Sequence, residues 1–198
     1  MVAVKPIKAA RFRWLSIGFF LFGIFSIPVL GEVSANQQKM VKSAFVLNIA
    51  KFVTWPESVY QMRPKQLVLC MYQADALGVG FEIIRNRSVN GRRLAKRVVD
   101  GLDEAENCDV LFLDGAVLSN YSKDLGQNYS DLPLRGVLVV VDRTSSEESS
   151  EKSIQGVQVT LVRRAERIGF EINLAESRSA QLKLSSELLK LSTIVGGS

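Results

Sequence analysis

The segment Leu67-Val68-Leu69-Cys70-Met71-Tyr72 contains no charged residue and no alternation of polar side chains. Two further runs of this kind follow at residues 110–113 (VLFL) and 137–141 (VLVVV). Strands that are apolar on both faces are typical of a parallel sheet covered by helices. Each run ends at polar or acidic residues before a predicted helix or loop, which is the β-to-α order of right-handed crossovers. The three runs therefore predict a parallel α/β core.

The segments around these runs complete the predicted fold. Apolar residues recur every three or four positions over residues 38–54, which predicts an amphipathic helix that ends at Trp55-Pro56. The predicted fold class is α/β, a compact single domain with a largely parallel central sheet flanked by helices, plus a C-terminal β-hairpin and helix. The other predicted elements are helices at 74–85 and 116–125, an edge strand at 92–99, a polar loop at 144–153, a hairpin of 157–162 with 167–173, and a helix at 174–194.

The first 35 residues have the pattern of an export signal. Basic residues up to Arg13 precede an uncharged apolar run at 14–30, and the small residues at 33–35 suit a signal peptidase. We predict a signal peptide at 1–35, cleaved after Ala35 or, as second choice, after Gly31, and a periplasmic domain at 36–198. The alternative is a retained helix that tethers the domain to the inner membrane. The apolar run is at the short limit for a span, about 17 residues.

Most of the net positive charge of the chain lies in this leader. The formal net charge is +5, but four of the 25 basic residues and one of the 20 acidic residues belong to residues 1–35, which leaves +2 for the predicted domain. Binding of single-stranded nucleic acid also requires aromatic side chains beside a basic groove. Neither the charge nor the compartment favours such a ligand, and we predict no nucleic-acid partner.

Cys70 and Cys108 are the two cysteines of the chain. In an oxidising compartment an even pair is first interpreted as a disulfide. That bridge would close the chain between residues 70 and 108 into a loop, worth at most about 4 kcal/mol. Two independent buried thiols are the alternative. A zinc site is disfavoured because two cysteines without histidine do not complete a ligand set, and we predict no metal.

The sequence offers few groups for catalysis. Histidine is absent, which excludes Ser-His-Asp triads and imidazole bases, and nucleophile-elbow, P-loop and dinucleotide-binding motifs are absent too. We therefore predict no enzymatic activity and no cofactor. Asp75, Asp114 and Asp142 follow the three apolar runs, where open α/β sheets bind ligands. These aspartates are candidate ligand-binding residues, and helix capping and turn formation are the other interpretation.

Basic side chains are concentrated between residues 85 and 97. Such a cluster can bind an anionic ligand or an acidic protein surface. The other interpretation is a solvated edge strand whose charges prevent pairing with other chains. The candidate partner-binding residues of this cluster are Arg92, Arg93, Lys96 and Arg97.

Two long segments resemble a known family. The segment KSAFVLNIAKFVTWP at 42–56 is similar to the opening motif of the YfiR-like periplasmic family. The segments IGFEINL at 168–174 and LKLSSELLKL at 182–191 are similar to its closing motif. The match extends from about residue 38 to residue 195. Cys70 and Cys108 fall where that family places a disulfide, whereas the second disulfide known in the family has no counterpart near the polar loop.

The resemblance implies a compact α/β fold, often dimeric, without catalytic activity. It implies a periplasmic repressor that binds the periplasmic domain of an inner-membrane diguanylate cyclase or sensor kinase and so controls cyclic-di-GMP and biofilm formation. An outer-membrane lipoprotein is the implied competitor that releases the cyclase. A small-ligand sensor that binds at the strand ends is the alternative. The amphipathic first helix is a further candidate contact, with a partner or with a second copy of the chain.

Overall fold

The computed structural model describes residues 30–128, 135–145, 153–165 and 167–196. The predicted signal peptide lies outside these residues up to position 29, and most of the predicted polar loop, residues 146–152, lies outside them too. The first elements are α1 (Leu30–Lys51), β1 (Val53–Thr54), α2 (Glu57–Met62), β2 (Gln66–Tyr72), α3 (Val79–Ile84), β3 (Ser88–Val89), β4 (Arg92–Val99) and α4 (Leu102–Ala105). The remaining elements are β5 (Val110–Asp114), a 3-10 turn (Gly115–Val117), α5 (Leu118–Asn128), β6 (Leu138–Asp142), β7 (Val159–Arg164), β8 (Arg167–Asn173), α6 (Leu174–Ser179), β9 (Lys183–Leu184), α7 (Ser186–Lys190) and β10 (Thr193–Val195).

Eight strands form the central sheet, in the order β10-β8-β7-β6-β5-β2-β4-β3. The pairs β4–β2, β2–β5, β5–β6, β6–β7 and β8–β10 are parallel. The pairs β7–β8 and β3–β4 are antiparallel. The three apolar runs became β2, β5 and β6 in the middle of this sheet. The predicted fold class, a largely parallel sheet with helices and a C-terminal hairpin, is confirmed.

The strands of the middle are apolar on both faces because each face covers a separate core. On one face, Leu69 and Phe112 pack with residues of α1 such as Ile49. On the other face, Leu111 and Tyr121 belong to a core closed by α4 and α5. Successive side chains of a strand point to opposite faces, so an uninterrupted apolar run supplies both cores at once.

The edges of the sheet are short strands. One edge is β3, which pairs with β4 through two residues, and the other is β10, which pairs with β8 through three. Arg164 joins β10 to the hairpin, since its Nη2 donates to Thr193 Oγ1 at 2.9 Å and to Glu171 Oε1 at 3.1 Å.

The predicted continuous helix at 174–194 is wrong. The segment is divided into α6, β9, α7 and β10, and Gln181 after α6 has a left-handed backbone with φ of 58°. The Ser185 hydroxyl accepts a hydrogen bond from Leu188 N and starts a new helix there. Two of the leucines in this spacing, Leu182 in the loop before β9 and Leu188 in α7, are buried in the same core.

The other predicted helices differ at their ends. Helix α1 ends at Lys51, because Val53 and Thr54 pair with Leu184 and Lys183 of β9. Helix α3 begins at Val79 after Gly78, whose φ of 42° interrupts the predicted 74–85 helix. A Cβ at Gly80 would lie 2.3 Å from the Lys39 carbonyl oxygen, so glycine is what lets α3 pack directly on α1.

Candidate functional site

An apolar groove runs along the outer face of α1. Its cavity measures about 410 Å³, and its walls come from α1, β8 and the region of α7. Asn48 is the polar member of the lining, and its Oδ1 accepts a hydrogen bond from Lys51 Nζ. The residues of this groove are Val41, Ala44, Phe45, Asn48, Ile49, Phe52, Phe170, Leu188 and Leu191.

The floor of the apolar groove is formed by packed aromatic rings, and the side chains of its rim are exposed to solvent. Phe45 and Phe170 meet edge to face on the floor, with ring centroids 6.3 Å apart. On the rim, Phe52 is 37% exposed and Leu191 is 71% exposed. Exposed apolar side chains grouped around a concave surface mark an interaction site more often than scattered ones do. The predicted excess of apolar surface on the first helix is therefore present.

The opposite side of α1 is attached to the sheet by apolar packing and by one ion pair. Val46 and Ala50 are buried in the core between α1 and the sheet. Lys42 Nζ lies 2.5 Å from Asp142 Oδ2, and both side chains are nearly inaccessible to solvent. Because Asp142 is the last residue of β6, this ion pair joins α1 to the carboxyl edge of the sheet.

A second cavity, about 350 Å³, lies at that carboxyl edge, and Asp114 and Asp142 both line it. These two residues are directly paired between β5 and β6. Asp114 Oδ1 accepts from Ala116 N, and Asp142 Oδ1 accepts from the backbone and hydroxyl of Thr144. The structure thus shows capping contacts at both aspartates while it also places them together. Ligand binding by them stays a prediction.

Asp75 does not line this carboxyl-edge cavity. Its carboxylate accepts from Lys96 Nζ at 2.7 Å and from Gly78 N at 2.9 Å. Burial raises the pKa of Asp75, but the hydrogen bonds from Lys96 and Gly78, with the charges of Lys96 and Lys39, outweigh it and leave the pKa below its usual value. The sequence prediction grouped three aspartates, and the structure brings together two of them.

Tyr72 and Asp124 form a further polar contact near this edge. The Tyr72 hydroxyl donates to the Asp124 carboxylate. Burial raises the pKa of Tyr72, and the hydrogen bond to Asp124 and the charge of Asp124 raise it further. The phenol therefore stays protonated and acts as a donor that attaches β2 to α5.

The basic strand β4 has two kinds of basic side chain. Arg93 and Arg97 are exposed, and no ion pair holds them in the described part of the chain. Lys96 is also exposed but bonds Asp75, and its ammonium lies 5.3 Å from the centre of the Phe81 ring. Partner binding by these three residues remains a prediction.

Arg92 is a correction to the predicted partner-binding set. Its side chain is 1% exposed, so it does not present a charge to a partner protein. Its Nη1 donates to Asp109 Oδ1 at 3.0 Å, and its guanidinium carbon lies 4.9 Å from the Trp55 ring centre and 4.7 Å from that of Tyr60. The sequence did not predict this burial because Asp109, Trp55 and Tyr60 are all far from Arg92 along the chain.

Asp109 was missed by the sequence reasoning. It is fully buried just before β5, and its carboxylate accepts from Arg63, Arg92 and the backbone N–H of Val68. The Trp55 indole donates to the Asp109 carbonyl oxygen at 3.1 Å. The sequence signal for a buried carboxylate was an aspartate directly before an apolar run. The same pattern is also typical of an exposed turn, so it did not single out Asp109.

The Cys70–Cys108 disulfide is confirmed. Its Cα atoms are 5.8 Å apart, and neither cysteine is exposed. The bridge joins β2 to the turn that leads into the neighbouring strand β5, inside the core covered by α4 and α5. Independent thiols, the alternative interpretation, do not apply.

Over the described ranges, no group of three or more cysteine, aspartate or glutamate side chains is placed to hold a metal ion. No helix within those ranges is long and apolar enough to cross a membrane.

Comparison with protein families gives the class of this protein. The family model described as YfiR/HmsC-like matches residues 39–193. The match begins in α1 and ends at the first residue of β10, so it includes the other seven strands of the central sheet, the apolar groove and the disulfide. The chain belongs to the YfiR/HmsC-like family, a regulatory family without catalytic activity whose members are periplasmic. No curated protein matches the chain.

Proposed function

We propose that this protein is a periplasmic, non-enzymatic regulator that binds and represses a membrane-bound signalling protein, a diguanylate cyclase. Membership of the YfiR/HmsC-like family supports the regulatory role. The export pattern of residues 1–35 supports the compartment, because a domain that follows a signal peptide leaves the cytoplasm. A sensor kinase with a periplasmic domain is the other partner that the resemblance implies.

The observation that carries this proposal is the apolar groove. Its volume of about 410 Å³ is large enough for one or two apolar side chains of a partner, within the range of about 300–1,000 Å³ typical of binding clefts. The occupant is an apolar segment of the receptor's periplasmic domain. Aromatic and aliphatic groups around a concave centre are typical of the few residues that carry most binding energy.

Repression follows from selective binding. If the protein binds the inactive form of the cyclase more tightly than the active form, it shifts the population toward the inactive form. Release then requires a competitor for the same surface, and an outer-membrane lipoprotein is the competitor implied by the resemblance. Side-chain packing in a groove suits such an exchange because the contact is non-covalent, and a competitor with higher affinity can displace the bound segment.

The test uses Leu191→Glu, with Met62→Glu as the matched control. Leu191 is on the rim of the groove, whereas Met62 is on α2, 63% exposed and not part of the lining. We expect Leu191→Glu to weaken binding to the purified periplasmic domain of the cyclase by about tenfold or more. Cyclic-di-GMP in cells should rise to the level of a deletion strain. Met62→Glu should leave both unchanged.

Three outcomes separate the alternatives. A deletion strain with unchanged cyclic-di-GMP and unchanged biofilm formation would refute the proposed regulation. Normal binding by Leu191→Glu, with the protein folded, would remove the groove as the contact. If Leu191→Glu instead converts a dimer to a monomer in sedimentation, the occupant of the groove is a second copy of the chain.

A ligand sensor is the second candidate function. The observation that favours it is the carboxyl-edge cavity, where Asp114 and Asp142 lie together and Lys42 connects Asp142 to α1. A small molecule bound there would raise the melting temperature of the protein. Asp114→Asn should reduce that rise, and Asp103→Asn, an exposed residue of α4, should not. No rise with any member of a metabolite panel would count against a sensor.

A further inference from the structure

Arg92 has an unused hydrogen-bonding edge inside the protein. Its Nε and Nη2 are buried, and neither has a partner among the described residues. These two nitrogens lie on one edge of the planar guanidinium group and present two parallel N–H donors. Such an edge matches the two oxygens of a carboxylate or two oxygens of a phosphate. Buried donors of this kind are almost always satisfied by protein, water or a ligand.

The nearest carboxylate does not satisfy this edge. Asp109 Oδ1 accepts from Arg92 Nη1 at 3.0 Å and from Arg63 Nη2 at 3.3 Å. Asp109 Oδ2 accepts from Arg63 Nε at 3.2 Å and from Val68 N at 2.6 Å. Both oxygens of Asp109 are therefore occupied. Two guanidinium groups face one carboxylate, which leaves one positive charge without a counter-ion in this buried cluster.

The guanidinium group of Arg92 is held in position before any ligand arrives. Trp55 and Tyr60 contact it through their rings, and cation–π contact with a desolvated guanidinium is favourable. Trp55 is itself fixed by its hydrogen bond to the Asp109 carbonyl. A donor pair that is already oriented binds a ligand without losing side-chain freedom.

Residues that reach the solvent border the buried Arg92 edge, and their charge attracts anions. Tyr60 is half-buried, and a Cβ at Gly91, the residue before Arg92, would have no heavy atom within 4 Å. Lys65 and Arg93 are exposed beside each other, since Arg93 N donates to the Lys65 carbonyl at 2.9 Å. No ion pair neutralises either one in the ranges that the structure describes. Clustered charge of one sign raises the local concentration of the opposite ion.

We propose that the Nε–Nη2 edge of Arg92 binds a small oxyanion, a carboxylate or a phosphate, at the amino end of the sheet. This site is separate from the proposed regulatory contact, because none of Arg92, Asp109, Trp55 and Tyr60 lines the apolar groove or the carboxyl-edge cavity. The anion supplies the missing counter-charge and accepts hydrogen bonds from both free N–H groups. It thereby stabilises the folded domain.

The direct test follows the Arg92 Nε–Hε signal by NMR in the purified, ¹⁵N-labelled protein. Sodium formate, sodium acetate and inorganic phosphate are titrated separately against sodium chloride at equal ionic strength. We expect a saturable shift of the Arg92 signal with an oxyanion and no such shift with chloride. The exposed Arg93 provides the internal comparison and should respond weakly to all of them. The arm with the tighter curve identifies a carboxylate or a phosphate as the preferred group.

A thermal experiment with two variants gives an independent readout. Arg92→Lys keeps the charge but removes the two-donor edge, and Arg93→Lys is the control on the neighbouring residue. We expect the preferred anion to raise the melting temperature of the wild type and of Arg93→Lys. For Arg92→Lys, the concentration required should increase by about tenfold or more.

The proposal is overturned if the Arg92 signal is unchanged by every oxyanion, which would mean that water alone occupies this edge. An equal shift with chloride would overturn it too, since that reports general screening. If Arg92→Lys does not fold, the wild-type titration still decides, because backbone correlations assign the Arg92 signal without a variant. Loss of the proposed regulation in cells would not bear on this result.

Discussion

Asp109 is the residue on which the buried polar contacts of the domain converge. It connects the segment before β2 through Arg63, the start of β4 through Arg92 and the β2 backbone through Val68. Arg92 is buried and Arg63 is largely buried, and over the described ranges both arginines pair with this one carboxylate. Removing one partner from a buried charge pair leaves the other partner uncompensated.

Asp109→Ala should therefore destabilise the domain severely. We expect the free energy of unfolding, measured by urea denaturation, to fall by about 3–5 kcal/mol. Asp103→Ala, on the exposed surface of α4, should change it by less than about 0.5 kcal/mol. A loss of under about 1 kcal/mol for Asp109→Ala would mean that the two arginines find other partners.

Asp75 gives a prediction about pH. Its folded-state pKa is below the usual value, so its ion pair stabilises the domain above the unfolded pKa of about 4, and this contribution is lost as the pH falls through the folded pKa. The residue is exposed, so its contribution is at most about 0.5 kcal/mol. Wild type and Asp75→Asn should differ in unfolding free energy at neutral pH and converge in acid. A difference that grows in acid would contradict this interpretation.

The residue scale is also where sequence reasoning had its clearest failure. Arg92 and Arg93 are adjacent and chemically identical, yet one is buried beside Asp109 and the other is exposed. Adjacent side chains of β4 point to opposite faces, and Trp55, Tyr60 and Asp109 pack around the one that carries Arg92. These contacts join distant parts of the chain, and no local pattern in a single sequence records them.

At the scale of elements, the strength of the local signal decided what was predictable. Strands β2, β5 and β6 were predicted within one residue because an uninterrupted apolar run has one common explanation. The hairpin of β7 and β8 followed from alternation. Strands β1 and β9 were missed because a strand of two residues is too short to show a hydrophobic period. Their pairing also joins segments about 130 positions apart in the sequence.

The disulfide is the covalent link between two of these elements. Reduction under native conditions should be slow because both cysteines are buried. Once the bridge is removed by the double replacement Cys70→Ala and Cys108→Ala, we expect the unfolding free energy to fall by up to about 4 kcal/mol. Alkylation of the denatured, unreduced protein should add no mass. Two added alkyl groups would show that the native chain contains free thiols.

At the scale of the whole molecule, the predicted cleavage site lies inside a helix. Helix α1 begins at Leu30, and cleavage after Ala35 would remove its first residues while leaving Asn36 to Lys51, including every α1 residue of the apolar groove. We expect the intact mass of the protein from the periplasmic fraction to correspond to a chain that starts at Asn36. A full-length mass in the membrane fraction would support the tethered alternative.

The short strands at the two edges of the sheet have a consequence for self-association. A strand of two or three residues offers too few amides to template another chain, and β3 and β10 are of that length. Because β3 covers only the start of β4, residues 95–99 of β4 have no strand partner on that side in the described part of the chain. The exposed side chains of Lys96 and Arg97 lie on this open segment, and charge on an edge opposes pairing with another chain. A polymer that extended the sheet here would bring these positive charges against those of a second copy.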